Sequence, residues 1–105
     1  MSAAAASGCG APDQSAPLTG VDPTRETVIT GVVRNSTGTA VGGAYVRLLD
    51  ATGEFAAEVV SSPEGAFRFY AAPGTWQVRA LSRQGTGQVE VPATVGINQV
   101  ALTVA

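Results

Sequence analysis

Apolar and polar positions alternate with period two along most of the chain. The clearest case is residues 65–80, where Arg68 separates Phe67 from Phe69, and Gln77 and Arg79 separate Trp76, Val78 and Ala80. Successive side chains of a strand point to opposite faces, so this pattern predicts two half-buried strands. Between them, Ala71-Ala72-Pro73-Gly74 places Pro, whose φ is preset, before Gly, for which φ can be positive, and predicts a type II turn. The core is expected to gather around Phe67, Phe69 and Trp76, three of the six aromatic residues, because aromatic side chains bury the most apolar area.

The same alternation runs through the other segments. Residues 26–34 are rich in β-branched types over the length of one strand, with Ile29 and Val33 inward. Gly31 stands between them, and its missing side chain would allow another strand or an aromatic ring to approach closely. Asn35-Ser36-Thr37-Gly38 predicts a turn. In residues 44–49, Ala44, Val46 and Leu48 share one face and Tyr45, Arg47 and Leu49 the other. The first set is the plainly apolar one and is read as inward. Asp50-Ala51-Thr52-Gly53 and Ser62-Pro63-Glu64-Gly65 carry type I turn chemistry and bracket a strand over 55–61. Residues 85–91 and 97–104 supply two more strands, joined through 92–96. Seven short strands, closely spaced turns and no helical period predict an all-β fold, a seven-stranded antiparallel-type β-sandwich. Its predicted core is Ile29, Val33, Val46, Leu48, Phe67, Phe69, Trp76 and Val78.

Residues 1–24 break the pattern. They are rich in Ala, Ser, Gly and Pro, too poor in apolar area to offset ordering entropy, and predict a disordered tail before one domain over 25–105. A domain of about 80 residues buries only roughly 60 to 65% of its unfolded surface, so its stability margin is thin. The single cysteine, Cys9, allows no internal disulfide.

Composition removes most enzyme classes. There is no His, and all six cations are arginines (Arg25, Arg34, Arg47, Arg68, Arg79 and Arg83). That excludes Ser-His and Cys-His pairs, His-based zinc sites and Schiff-base lysines. No catalytic constellation, metal or cofactor is expected. A formal charge of −2 with scattered charges gives no electrostatic case for nucleic acid. No apolar run reaches the length of a membrane span. Ala6-Ser7-Gly8-Cys9 resembles the end of a lipoprotein signal but follows neither a basic segment nor a long apolar one. The expectation is a cytoplasmic protein; a start further upstream would make it a lipid-anchored envelope protein.

Five separated motifs, Ile29-Thr30-Gly31-Val32-Val33, Gly38, Gly43-Ala44-Tyr45-Val46-Arg47-Leu48, Gly65-Ala66-Phe67-Arg68-Phe69 and Pro73 through Ala80, together resemble the carboxypeptidase regulatory-like (transthyretin-like, prealbumin-like) β-sandwich. The resemblance covers about residues 26–104. As a guide to function it is broad, since such sandwiches serve as stalks, regulatory modules, carbohydrate-binding-like domains and accessory subunits. Within it, residues 26–31, 46–50, 53–55, 57–59, 67–72 and 76–81 are similar to a narrower group of small actinobacterial proteins of unknown function, often encoded beside a thiosulfate sulfurtransferase. That similarity implies a non-catalytic binding or accessory module in sulfur metabolism, with such a sulfurtransferase as partner. Urate-pathway hydrolases of this fold depend on histidines, and isopeptide-stapled domains on a lysine; this chain has neither residue type.

Two candidate sites follow. Cys9 is the only soft nucleophile, and the sulfurtransferase association suggests a sulfane-sulfur acceptor or carrier. An unassisted thiol keeps a pKa near 8.5, so a partner would have to activate it; the alternative is an inert exposed cysteine. The family topology also sets the strand of Tyr45, Arg47 and Leu49 beside that of Gln77, Arg79 and Leu81. Tyr45, Arg47, Arg79 and Leu81 then form a face suited to a protein partner or an anion such as thiosulfate. The competing reading is a solvated face in which Arg pairs with Glu58 and apolar stems lie along the sheet. Carbohydrate binding is not favoured: Trp76 has inward parity, and Tyr70 alone makes no stacking platform.

Overall fold

The computed structural model describes residues 25–105; the predicted tail over 1–24, with Cys9, lies outside the described residues. Seven strands follow in order: β1 (Thr27–Asn35), β2 (Tyr45–Leu49), β3 (Phe55–Val60), β4 (Ala66–Ala71), β5 (Gly74–Ser82), β6 (Gly85–Ala93) and β7 (Gly96–Val104). They form a three-stranded sheet, β4-β1-β7, packed on a four-stranded sheet, β3-β2-β5-β6. The seven-stranded all-β sandwich is therefore as the alternation predicts. Among the described residues no helix is long and apolar enough to cross a membrane.

The turn chemistry is realised at three of the predicted places. The N–H of Gly38 donates to Asn35 O at 2.9 Å, that of Gly53 to Asp50 O at 2.9 Å, and that of Gly65 to Ser62 O at 2.7 Å. At the fourth the outcome differs. Gly74 has φ 151°, whereas a type II turn needs about +80° at its glycine. The β4–β5 connection is instead a two-residue bend, Ala72-Pro73, that carries the chain from one sheet to the other, and the indole N–H of Trp76 donates to Ala72 O there at 2.8 Å.

Two other features depart from the sequence reading. One strand pair is not antiparallel: β7 runs parallel to β1 from Thr27↔Gly96 to Asn35↔Val104. The chain leaves β6 in one sheet and crosses to the other, arriving at the end where β1 begins; there Gly96 N–H donates to Glu26 O at 2.7 Å. Pro92 also lies inside β6, opposite Thr75, rather than in the connection after it. It is tolerated because β6 is an edge strand, where a residue with no N–H need break no ladder bond.

Between the sheets, Ile29, Val33, Val46, Leu48, Phe67, Phe69 and Val78 are buried as predicted, joined by Val41, Ala44, Ala80, Val91, Ala93, Leu102 and Val104. Phe67 and Phe69, two residues apart on one face of β4, place their ring centroids 6.1 Å apart at 55°. Trp76 is a correction. It has the inward parity of Val78 but is only partly buried, packed against the margin of the core. Its position at the open end of the sandwich, beside the β4–β5 bend, leaves one side of the ring without a covering strand. Val28 and Arg68 point away from this core on β1 and β4 and are nevertheless buried. Val28 lies on the central strand of its sheet, between Tyr70 of β4 and Ile97 of β7.

Candidate functional site

The outward face of the four-stranded sheet follows from its register. Tyr45 pairs with Leu81, Arg47 with Arg79 and Leu49 with Gln77 across β2 and β5, while Tyr45 pairs with Val60 and Arg47 with Glu58 across β2 and β3. The four predicted residues Tyr45, Arg47, Arg79 and Leu81 thus stand as one block on neighbouring strands. Arg47 and Arg79 sit directly opposite, an arrangement of like charges that is destabilising unless compensated. Compensation comes from each side. Arg47 Nε donates to Glu58 Oε2 at 2.7 Å, Arg79 Nε donates to Gln88 Oε1 at 3.2 Å, and Gln88 Nε2 donates on to Gln77 Oε1 at 2.9 Å. The pairing of Arg with Glu58 expected of a solvated face is present. The face is nonetheless not a purely polar one.

Of the largest exposed apolar groups on this face, sequence reasoning singled out Tyr45 but not Phe55 or Val60. Tyr45 is 55% exposed, Phe55 60% and Val60 49%, and all three belong to β2 and β3. Val60 abuts Tyr45, and Phe55 abuts Leu49 at a register shift between Leu48 and Leu49. The alternation on 55–60 would have found Val60; Phe55 owes its outward position to the bulge, which no period records. Tyr45 and Leu81, with Gly43, Ser82 and Arg83, also line a shallow depression of about 480 Å³. The row of Glu58, Arg47, Arg79 and Gln88 is flanked by apolar groups at both ends. It offers guanidinium donors, a phenol and apolar area, the kinds of group that protein interfaces enrich.

A second concavity, about 760 Å³, opens at the end of the sandwich, lined by Arg25, Leu48, Ala57, Tyr70, Pro73 and Trp76 among others. The structure brings Tyr70 and Trp76 to one cleft, which the strand-by-strand reading kept apart. The indole N–H is already committed to Ala72 O, so Trp76 presents an apolar surface there.

Among the described carboxyl groups, Asp50 is held below its ordinary value of 3.8, first by the Thr52 hydroxyl and then by the Glu54 N–H. Its Oδ1 accepts from Thr52 Oγ1 at 2.6 Å, Thr52 N at 2.9 Å and Glu54 N at 2.9 Å. That geometry locks the β2–β3 turn. Among the described residues no group of three or more His, Cys, Asp or Glu is placed to hold a metal ion.

Over residues 9–104 the chain matches the family described as Protein of unknown function (DUF1416). It is similar to an uncharacterized protein of Mycolicibacterium smegmatis, 61% identical over 87 residues that cover 82% of this chain and 97% of the relative. An uncharacterized protein of Mycobacterium tuberculosis is 54% identical over 94 residues, covering 88% of this chain and 94% of that one. Among solved structures the chain resembles 5-hydroxyisourate hydrolase of Klebsiella pneumoniae, with TM-score 0.57, 22% identity and coverage of 74% and 89% of the two chains. Chlorocatechol 1,2-dioxygenase of Pseudomonas putida gives TM-score 0.59 at 10% identity, covering 81% of this chain and 62% of that one. At such identities the likeness is one of fold, and it bears out the transthyretin-like sandwich without carrying either activity across. The chain belongs to the DUF1416 family, with relatives in actinobacteria.

Proposed function

We propose that this protein is a non-catalytic binding module that docks a protein partner on the outward face of β3-β2-β5-β6, and that the partner is a thiosulfate sulfurtransferase. The observation that supports docking is the combination on one face of exposed Tyr45, Phe55 and Val60 with Arg47 and Arg79. Tyr, Phe and Arg are enriched at protein interfaces and dominate their energetics, whereas a merely solvated strand face is dressed in Lys, Glu and Thr. The choice of partner class rests on the family resemblance alone.

The test is calorimetric titration of the full chain with a thiosulfate sulfurtransferase from the same genome. Arg47→Ala with Arg79→Ala, and separately Tyr45→Ala, should each weaken binding at least about tenfold, the loss expected of interface anchors. Unchanged affinity in both variants ends the docking reading. No binding to the wild-type chain removes this partner class.

A second reading is favoured by one finding, that the family match begins at Cys9. In it Cys9 accepts a sulfane sulfur from the partner's persulfide, its thiolate attacking the outer sulfur and the partner's thiolate leaving. Intact mass after incubation with the persulfidated enzyme should show one added sulfur atom, absent in Cys9→Ser. An unmodified wild-type chain excludes it.

A further inference from the structure

The two edges of the four-stranded sheet are guarded unequally. At β6 the end of β7 and Ala105 lie against the edge: Ala105 N–H donates to Thr86 O at 3.1 Å, and a side chain at Gly87 would strike Thr103 O of β7. At β3 nothing comparable is present among the described residues. Phe55, Ala56, Glu58 and Val60 are exposed, and Ala57 and Val59 only half-buried. Natural edges are blunted by Lys, Pro, inward charges, bulges or a covering element. The sequence Phe-Ala-Ala-Glu-Val-Val has no Lys and no Pro, and its one bulge lies at the Phe55 end. Its single charge, Glu58, is already neutralised within its own sheet by Arg47 at 2.7 Å.

The ladder fixes which backbone groups are on offer. Ser61 N–H donates inward to Ala44 O at 2.9 Å, and residues of an antiparallel strand aim both backbone groups alternately at one neighbour and then the other. Val59 and Ala57 therefore bond to β2, and Glu58 and Val60 turn N–H and C=O to the open edge. An antiparallel strand can be its own complement about a twofold axis. An axis at Glu58 would oppose two carboxylates, which is unfavourable. An axis at Val59 opposes Val59 to Val59 and Glu58 to Val60, keeping like charges apart and pairing every outward group of both residues.

We propose that two copies of this chain associate by antiparallel β3–β3 pairing about a twofold at Val59, joining their four-stranded sheets into one continuous sheet. On its outward face the rows then read Arg79, Arg47, Glu58 from one copy and Val60, Tyr45, Leu81 from the other, extending the exposed apolar groups across the junction. Six residues per strand put the contact at the small end of specific interfaces, below about 1,200 Å² in total, so monomer and dimer exchange. This pairing does not depend on the docking of a sulfurtransferase. Arg79, two strands from the edge, distinguishes them: Arg79→Ala leaves self-association intact.

The experiment is sedimentation velocity of the full chain in reductant, which prevents crosslinking through Cys9, from low micromolar to millimolar concentration. The mass should rise from that of the 10.5 kDa chain toward twice it, and the rise should vanish in Val60→Pro, which lacks the outward N–H, and in Val60→Glu, which sets a carboxylate opposite Glu58 of the other copy. If Val60→Pro does not fold, by circular dichroism, Val60→Glu carries the test. A one-chain mass at every concentration overturns the proposal, and so does a doubling that survives Val60→Glu.

Discussion

Phe67 fills the space in front of Gly31. The two residues are partners across β1 and β4, and a Cβ on Gly31 would stand 2.7 Å from Phe67 Cζ while also striking the Val100 carbonyl of β7. A neighbouring strand and an aromatic ring, the two approaches that a glycine there allows, are both realised. Gly31→Ala should destabilise the fold by about 1–3 kcal/mol, the usual penalty for overpacking a filled core. Urea denaturation measures it. Phe67→Leu in the same chain should restore only part of the loss, because the Val100 carbonyl does not move with the ring; full restoration would mean the ring alone sets the constraint.

Asn98 ties the crossover to the sheet. Its Nδ2 donates to Thr94 O at 2.8 Å, Val28 O at 3.1 Å and Gly96 O at 3.2 Å, and its Oδ1 accepts from Thr94 N–H at 3.1 Å. Asn98→Ala should lose about 1–3 kcal/mol by leaving part-buried carbonyls unsatisfied. Asn98→Asp should be worse at neutral pH, where an anion would face three carbonyl oxygens, and should recover below about pH 4 as the carboxyl gains a proton to donate. Thermal melts of the two variants against pH test this; parallel curves would contradict it.

The Asp50 carboxyl links the β2–β3 turn to pH. Its folded pKa is lowered by the Thr52 hydroxyl and the Glu54 N–H, so its stabilising contribution is present above the unfolded value and is lost as pH falls through the lower folded value. In a carboxyl-carbon NMR titration Asp50 should titrate below 3.8. Thr52→Val should move it back toward that value, since the hydroxyl is the leading cause.

The Arg47–Glu58 pair should matter little to stability. Its side chains are 47% and 33% exposed, and pairs of that kind contribute about 0.2–1 kcal/mol and weaken in salt. Glu58→Gln should therefore shift the denaturation midpoint slightly at low ionic strength and negligibly at high. A larger, salt-independent loss would show that Glu58 has a structural role beyond the ion pair.

The strands, their turns and most of the core are legible in the residues because each is a local signal. Alternation sets the parity of Val46, Leu48, Phe67 and Val78 within one strand, and Asp50 to Gly53 carries its own turn chemistry. Outward parity likewise put Tyr45 and Arg47 on one side and Gln77 and Arg79 on one side; that β2 lies beside β5 came from the family resemblance.

What the sequence determined by itself is which side of most strands is apolar, where the chain turns, and that catalytic sets built on His or Lys are absent from its residues. Tertiary structure alone decided the parallel β1–β7 pair, the half-buried place of Trp76, the burial of outward-pointing Val28, the exposure of Phe55 at a bulge, and the open β3 edge. The reason is physical. Parity and turn geometry are set by bonded neighbours, whereas burial and edge protection depend on which distant strand arrives alongside, and period two is the same for a strand at the centre of a sheet and one at its rim.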